Sequence, residues 1–179
     1  FLLYLISNGL FASNPQVVMK TSKGDIEIEL YDDKVHDTVS NFLSYVDSGF
    51  YKNTVFHRVI KGFMIQGGGF DKAMIEKKAK APIKNEAKLD LKNEIGTISM
   101  ARTNVIDSAT AQFFINTADN ISLDHRGNDQ YSFGYAVFGK VIKGMPVVKT
   151  IESAKTGIRG PMEDVPLDQI VILDIVKKK

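Results

Sequence analysis

Ile26, Ile28 and Leu30 alternate with Asp25, Glu27 and Glu29. A period of two puts the apolar set on one face of a strand and the acidic set on the other, so the stretch reads as a half-buried strand. The run Val17–Thr21 precedes it, and the intervening Ser-Lys-Gly-Asp predicts a hairpin. The period then changes. Val39, Phe42, Leu43 and Val46 fall at i, i+3, i+4 and i+7, one face of a helix that Asp37 or Thr38 can cap and Gly49 can end. Beyond Gly49 the apolar runs are short again: Val55–Ile60, Phe63–Gln66, Thr97–Ala101, Gln112–Thr117, Tyr135–Val141 and Val171–Val176. A second short helix is predicted from Pro146, a favoured first-turn residue, with Val147, Val148 and Ile151 inward. Asp71 to Asn93 is a lysine-rich polar loop. Many short strands with only two helices predict an all-β fold, a closed or nearly closed barrel.

Composition narrows the function classes. A chain of 179 residues without repeat or linker fits one core, and a single domain is expected over 16–179. The net charge of +2 is too small for a nucleic-acid groove, and the clusters at Lys77, Lys78 and Lys80 and at Lys177–Lys179 read as solvated surface. The absence of cysteine removes disulfides, thiol nucleophiles and cysteine-ligated zinc. Residues 1–15 read differently from the rest. Phe1–Ala12 is apolar and ends on a small residue before Ser13, Asn14 and Pro15, the pattern of the end of an export signal followed by a short tail. It is too short for a confident membrane span, so no stable membrane insertion is expected after processing. A periplasmic location follows from that reading; a helix packed on the domain, and hence the cytoplasm, is the alternative.

The densest stretch is Phe56–Phe70, FHRVIKGFMIQGGGF. Three chemistries compete for it. A phosphate-cradling loop is excluded by spacing, since Gly67, Gly68 and Gly69 match neither dinucleotide nor P-loop patterns. A hydrolytic site has no HExxH pair and no GxSxG elbow to support it. If Arg58 points into a site, alternation puts His57 on the opposite face as a packed, hydrogen-bonded residue. An apolar pocket with one fixed cation fits better. Arg58 shares a face with Phe56 and Ile60, Phe63 with Ile65, and Met64 with Gln66; in the AQFFIN run, Gln112 shares a face with Phe114 while Phe113 points away. A charged guanidinium among such residues needs partners or a task.

Three long segments carry a resemblance. GFYKNTVFHRVIKGFMIQGGGF, GTISMARTNVIDSATAQFFINTADN and FGYAVFGKVIKGMPVV are similar to the signature segments of the cyclophilins, in the family's order, over about Val17 to Val176. The MART, SATAQFFIN and FGYAVFGKV segments resemble the bacterial branch, especially its exported members. The resemblance implies an eight-stranded antiparallel barrel closed at its ends by two helices, and peptidyl-prolyl cis-trans isomerase activity on X-Pro bonds of folding polypeptides. It makes Arg58 the catalytic residue and Phe63, Met64, Phe114 and Leu123 the proline pocket. Gln66 would hold Arg58 and contact the substrate backbone, Ala101, Arg102 and Gln112 would line the neighbouring groove, and Tyr135 stands where many members carry His. No cofactor or metal and a monomeric state are implied. Two departures stand out. Lys61 replaces a common proline, and Ser122 replaces a rim aromatic, often Trp, with Ile121 beside it as a candidate substitute; weak cyclosporin binding is expected. The rival reading is a non-catalytic module or chaperone that binds proline-containing chains in the same groove.

Overall fold

Ile26, Ile28 and Leu30 are wholly buried, as their alternation demands. The computed structural model describes residues 13–179; the export reading of Phe1–Ala12 lies outside the described residues. The elements run β1 (Gln16–Thr21), β2 (Gly24–Leu30), α1 (His36–Asp47), β3 (Thr54–Ile60), β4 (Met64–Asp71), β5 (Thr97–Met100), β6 (Phe113–Asn116), β7 (Val137–Lys143), α2 (Met145–Glu152), β8 (Thr156–Arg159), β9 (Met162–Pro166) and β10 (Val171–Lys177). Eight strands close in the order β1-β10-β3-β4-β6-β5-β7-β2, and every pair is antiparallel. This is the barrel with two helices that the periodicity and the resemblance led us to expect. Closure leaves no free edge in the barrel.

The β8–β9 hairpin lies outside the barrel sheet. Periodicity misses it because its residues are mostly exposed or half-buried and no apolar alternation marks it. The Gly-Pro step at Gly160–Pro161 was the available turn signal.

Phe42, Val39 and Val46 of α1 pack into the core, together with Tyr45, which the helix pattern omitted. Phe42 meets Phe113 edge-on at 5.9 Å, and Tyr51 meets Phe113 at 5.5 Å. Phe113 is thus the inward anchor of β6, and its neighbour Phe114 is turned to the outer face. The start of α1 differs from expectation. Val35 is its N-cap with no side-chain bond, and Asp37 and Thr38 lie inside the first turn. The loop supplies the missing acceptor: Glu86 Oε2 receives the backbone N–H of Thr38 at 2.7 Å and its hydroxyl at 2.6 Å. A carboxylate there satisfies an orphan donor and faces the positive end of the helix. The helix ends as expected, with Gly49 at φ +68° and the 6→1 bond from Phe50 N–H to the Tyr45 carbonyl.

Candidate functional site

Strict alternation fails in β3, at the place where the site begins. Phe56 pairs with Gly67, but Arg58 pairs with Gln66, so two steps on β3 match one on β4. This bulge puts Phe56 and Val59, three residues apart, both in the core. Arg58 therefore does not share the face of Phe56; it emerges on the outer face, 45% exposed. His57 packs on Phe70, with ring centres 4.6 Å apart. It is buried, as expected. Its Nδ1 has no hydrogen-bond partner among the described residues, which corrects the expectation of a hydrogen-bonded ring. Desolvation, with the Arg58 charge as a lesser cause, lowers its pKa to about 4. A histidine so depressed is neutral near pH 7 and poorly tuned as a general base.

Arg58 faces a cleft of about 260 Å³. Phe63, Met64, Phe114 and Leu123 supply its apolar walls, and Gln66, Ala101, Arg102 and Tyr135 complete it. The register explains the grouping: Gln66 opposes Phe114 across β4–β6, and Met64 follows on the same face. Phe63 breaks the alternation that paired it with Ile65. It sits in the turn before β4, not in the strand, and so reaches the cleft while Ile65 enters the core. Tyr135 meets Phe114 edge-on at 5.6 Å.

Gln112 lines the adjoining groove, which shares Gln66, Ala101 and Arg102 with the cleft and adds Glu76, Thr103 and Ser108. Gln66 Nε2 donates to Gln112 Oε1 at 3.0 Å. The described contacts thus join Gln66 to Gln112, where the resemblance implied a grip on Arg58. Gly69 makes room for this pair. A Cβ there would stand 2.5 Å from Gln112 Cγ.

The two arginines differ in their freedom. Arg102 Nε donates to the Gly134 carbonyl at 3.0 Å, its Nη1 to the Thr103 carbonyl at 2.9 Å, and its guanidinium lies 4.6 Å from the centre of the Tyr135 ring. Two of its donors and its planar face are thus committed to the wall. Among the described residues Arg58 makes one long ionic contact, Nε to Asp164 Oδ2 at 3.9 Å. Asp164, on the hairpin that periodicity missed, belongs to the site's surroundings and had no sequence signal of its own. From the other side, Glu152 Oε1 accepts the Gly62 N–H at 2.8 Å, tying α2 to the β3–β4 turn that carries Lys61. Ser122 is exposed beside Leu123, and Ile121 is 72% exposed and does not line the cleft, so it does not replace a rim aromatic.

Comparison with known proteins assigns this barrel. Residues 16–177 match the family "Cyclophilin type peptidyl-prolyl cis-trans isomerase/CLD". The chain is 54% identical over 168 residues to peptidyl-prolyl cis-trans isomerase A of Dickeya dadantii, covering 93% of this chain and 87% of that one. It is 53% identical over 156 residues to peptidyl-prolyl cis-trans isomerase B of Escherichia coli, covering 87% and 95%. A crystal structure of a Cryptosporidium parvum cyclophilin type isomerase, determined in the presence of the dipeptide Ala-Pro, superposes with a TM-score of 0.77 at 31% identity, over 92% of this chain and 99% of that one. With matches of this length and identity, the chain belongs to the cyclophilin-type peptidyl-prolyl cis-trans isomerases.

Proposed function

We propose that this isomerase rotates X-Pro bonds in the Arg58 cleft, with Arg58 as its catalytic residue. Amide resonance sets a barrier of about 18–20 kcal/mol. The cis and trans forms of an X-Pro bond are close in energy, yet they interconvert only over tens to hundreds of seconds. No covalent bond has to break. In the twisted amide the nitrogen lone pair is no longer shared with the carbonyl, so the prolyl nitrogen becomes a better acceptor. A guanidinium N–H aimed at that nitrogen is stronger in the twisted state than in the planar one, the condition for accelerating a reaction. Lysine carries the same charge without the planar fork.

One observation carries the assignment. Of the two arginines that line the cleft, Arg102 has its Nε and Nη1 committed to backbone carbonyls and its plane set against Tyr135, while among the described residues Arg58 makes one long contact, from Nε to Asp164. Among the described residues its terminal amino groups have no partner, which leaves them for a substrate. Phe63, Met64, Phe114 and Leu123 would grip the proline ring and exclude water. Gln66 and the backbone at Arg102 would hold the flanking peptide, and the Tyr135 hydroxyl would donate to a substrate carbonyl. The substrates on this reading are exposed X-Pro segments of partly folded chains, turned over by a monomer. Export to the periplasm is proposed from the Phe1–Ala12 sequence; amino-terminal sequencing of the native product tests it, and a mature cytoplasmic chain that keeps the segment rejects it.

A protease-coupled assay on an X-Pro peptide is the direct test of the mechanism. Arg58→Lys folds normally and loses most of kcat/KM. Near-parental turnover in that variant would reject the role of Arg58. Peptide binding by the parent without any turnover would favour the non-catalytic module.

A further inference from the structure

Two walls of the proline cleft are tied together from behind by one buried polar relay. Asn120 Nδ2 donates to the Phe63 carbonyl at 2.9 Å and to Asn116 Oδ1 at 2.7 Å. Asn116 Nδ2 reaches Thr97 Oγ1 at 2.9 Å and Asn93 Oδ1 at 3.3 Å. Asn93 Oδ1 also accepts from Ser99 Oγ at 2.7 Å, and Asn93 Nδ2 donates to the Leu123 carbonyl at 3.0 Å. The Asn93 N–H closes the relay on Asp124 Oδ1 at 2.7 Å. All three asparagines are at most 9% exposed.

The ends of this relay are Phe63 and Leu123, two residues that line the cleft. Neither belongs to a barrel strand: Phe63 is in the turn before β4, and Leu123 ends the one-turn helix Ile121–Leu123. The Phe63 carbonyl also takes the Thr117 N–H and the Leu123 carbonyl the Tyr135 N–H, both at 3.0 Å, so backbone bonds hold each wall on one side and the side-chain relay links the two. The relay runs through β6 at Asn116 and reaches β5 at Ser99 and Thr97, so both walls are referenced to the rigid sheet. An amide suits each joint because it donates and accepts at once. A fully satisfied buried network rigidifies what it connects.

We propose that Asn120, Asn116 and Asn93 are positioning residues for the isomerase, setting the separation of Phe63 and Leu123 and hence the grip on the proline ring. This rests on the isomerase reading above. The ring is held alike in the cis, twisted and trans states, so loosening the grip removes uniform binding: KM rises while kcat is retained. Loss of the Arg58 donor has the opposite signature, a fall in kcat.

Asn120 is the place to cut, because it lies at the edge of the network and its loss leaves Asn93 and Asp124 paired. Asn120→Ala removes both donations. Asn120→Asp keeps the shape and turns the donor into an acceptor facing two oxygens. For both variants we expect KM to rise about fivefold or more with kcat within about twofold of the parent, and calorimetric Kd for a proline peptide to weaken in parallel. Ile175→Val, a mild change in the core of β10, controls for destabilisation and leaves KM and Kd unchanged. If either Asn120 variant folds and binds the peptide with unchanged Kd and KM, or loses kcat at unchanged KM, the proposal is wrong. If Asn120→Ala fails to fold, the near-isosteric Asn120→Asp decides the question by the same two constants. A parent without turnover would contradict the isomerase reading, whereas an unchanged Kd in the Asn120 variants contradicts only the relay.

Discussion

Asp164 holds its carboxylate 3.9 Å from Arg58 Nε while its own backbone sits at φ +57°, a left-handed conformation within β9. The hairpin register slips just there: two steps on β8, from Gly157 to Arg159, match three on β9, from Val165 to Met162. A bulge of this kind re-aims a side chain. Aspartate tolerates the left-handed region better than most residues, and glycine tolerates it best. The backbone and the carboxylate therefore make separable contributions. Asp164→Asn keeps the backbone preference and removes the charge. A partly exposed ion pair is worth at most about 1 kcal/mol, so kcat/KM should fall about fivefold or less. Asp164→Gly should match or exceed the parent in Tm while losing the same activity. Unchanged kcat/KM in both variants would mean that the carboxylate does not orient Arg58.

Gly69 separates groove geometry from stability. An added Cβ would meet the Gln112 side chain at 2.5–2.7 Å and would meet no backbone atom that close. Gln112 is half-buried; with its Cγ nearest, the whole side chain must take another rotamer, so a modest cost in stability is expected. The bond from Gln66 to Gln112 must then break. Gly69→Ala should lower kcat/KM several-fold on a long peptide that fills the adjoining groove, and less on a short one. Equal losses on both peptides would place the effect in the cleft instead.

pH separates catalysis from folding. No proton passes between enzyme and substrate in the isomerisation, and His57, with a pKa of about 4, stays neutral from pH 6 to 8. The kcat/KM profile should be nearly flat across that range, measured with a non-titrating peptide; a bell shape would reveal an essential acid or base. Stability behaves differently. The unfolded His57 takes up a proton near pH 6.5, while the folded one resists it down to about pH 4. The unfolded state thus binds more protons in that window, and stability falls as pH drops from about 6.5 to about 4, levelling below. The full span corresponds to about 3 kcal/mol, an order of magnitude rather than a constant. His57→Gln should flatten this part of the urea-denaturation profile and leave the activity profile flat.

Ser122 bears on drug binding. It is exposed beside Leu123 at the rim, and the chain contains no Trp. An indole offers a large apolar face and an N–H donor, and Ser offers neither on that scale. The parent should bind cyclosporin weakly, and Ser122→Trp should tighten binding in a titration of isomerase inhibition. Tight inhibition of the parent would mean that another residue serves in this place.

Much of the fold was legible because its signals are local. The alternation of Ile26, Ile28 and Leu30 marks a strand whatever the strand later pairs with, and the Val39–Phe42–Val46 spacing marks a helix face that needs a core. The runs ending at Gln66, Thr117 and Val141 correspond to barrel strands for the same reason. The grouping of Met64, Gln66 and Phe114 followed from period and resemblance together. Periodicity failed where the backbone departs from a regular strand. The β3 bulge moves Arg58 off the face of Phe56, and the turn frees Phe63 from the face of Ile65.

What only the tertiary structure decided is the choice of polar partners. Glu86 rather than Asp37 satisfies the start of α1, Gln112 rather than Arg58 takes Gln66, and Asp164 stands against Arg58 across from a separate hairpin. The physical reason is one of range. Hydrophobic period is a property of a few consecutive residues, whereas a polar group takes as partner whatever the closed barrel brings within about 3 Å for a hydrogen bond or about 4 Å for an ion pair, and that neighbour can come from anywhere in the chain.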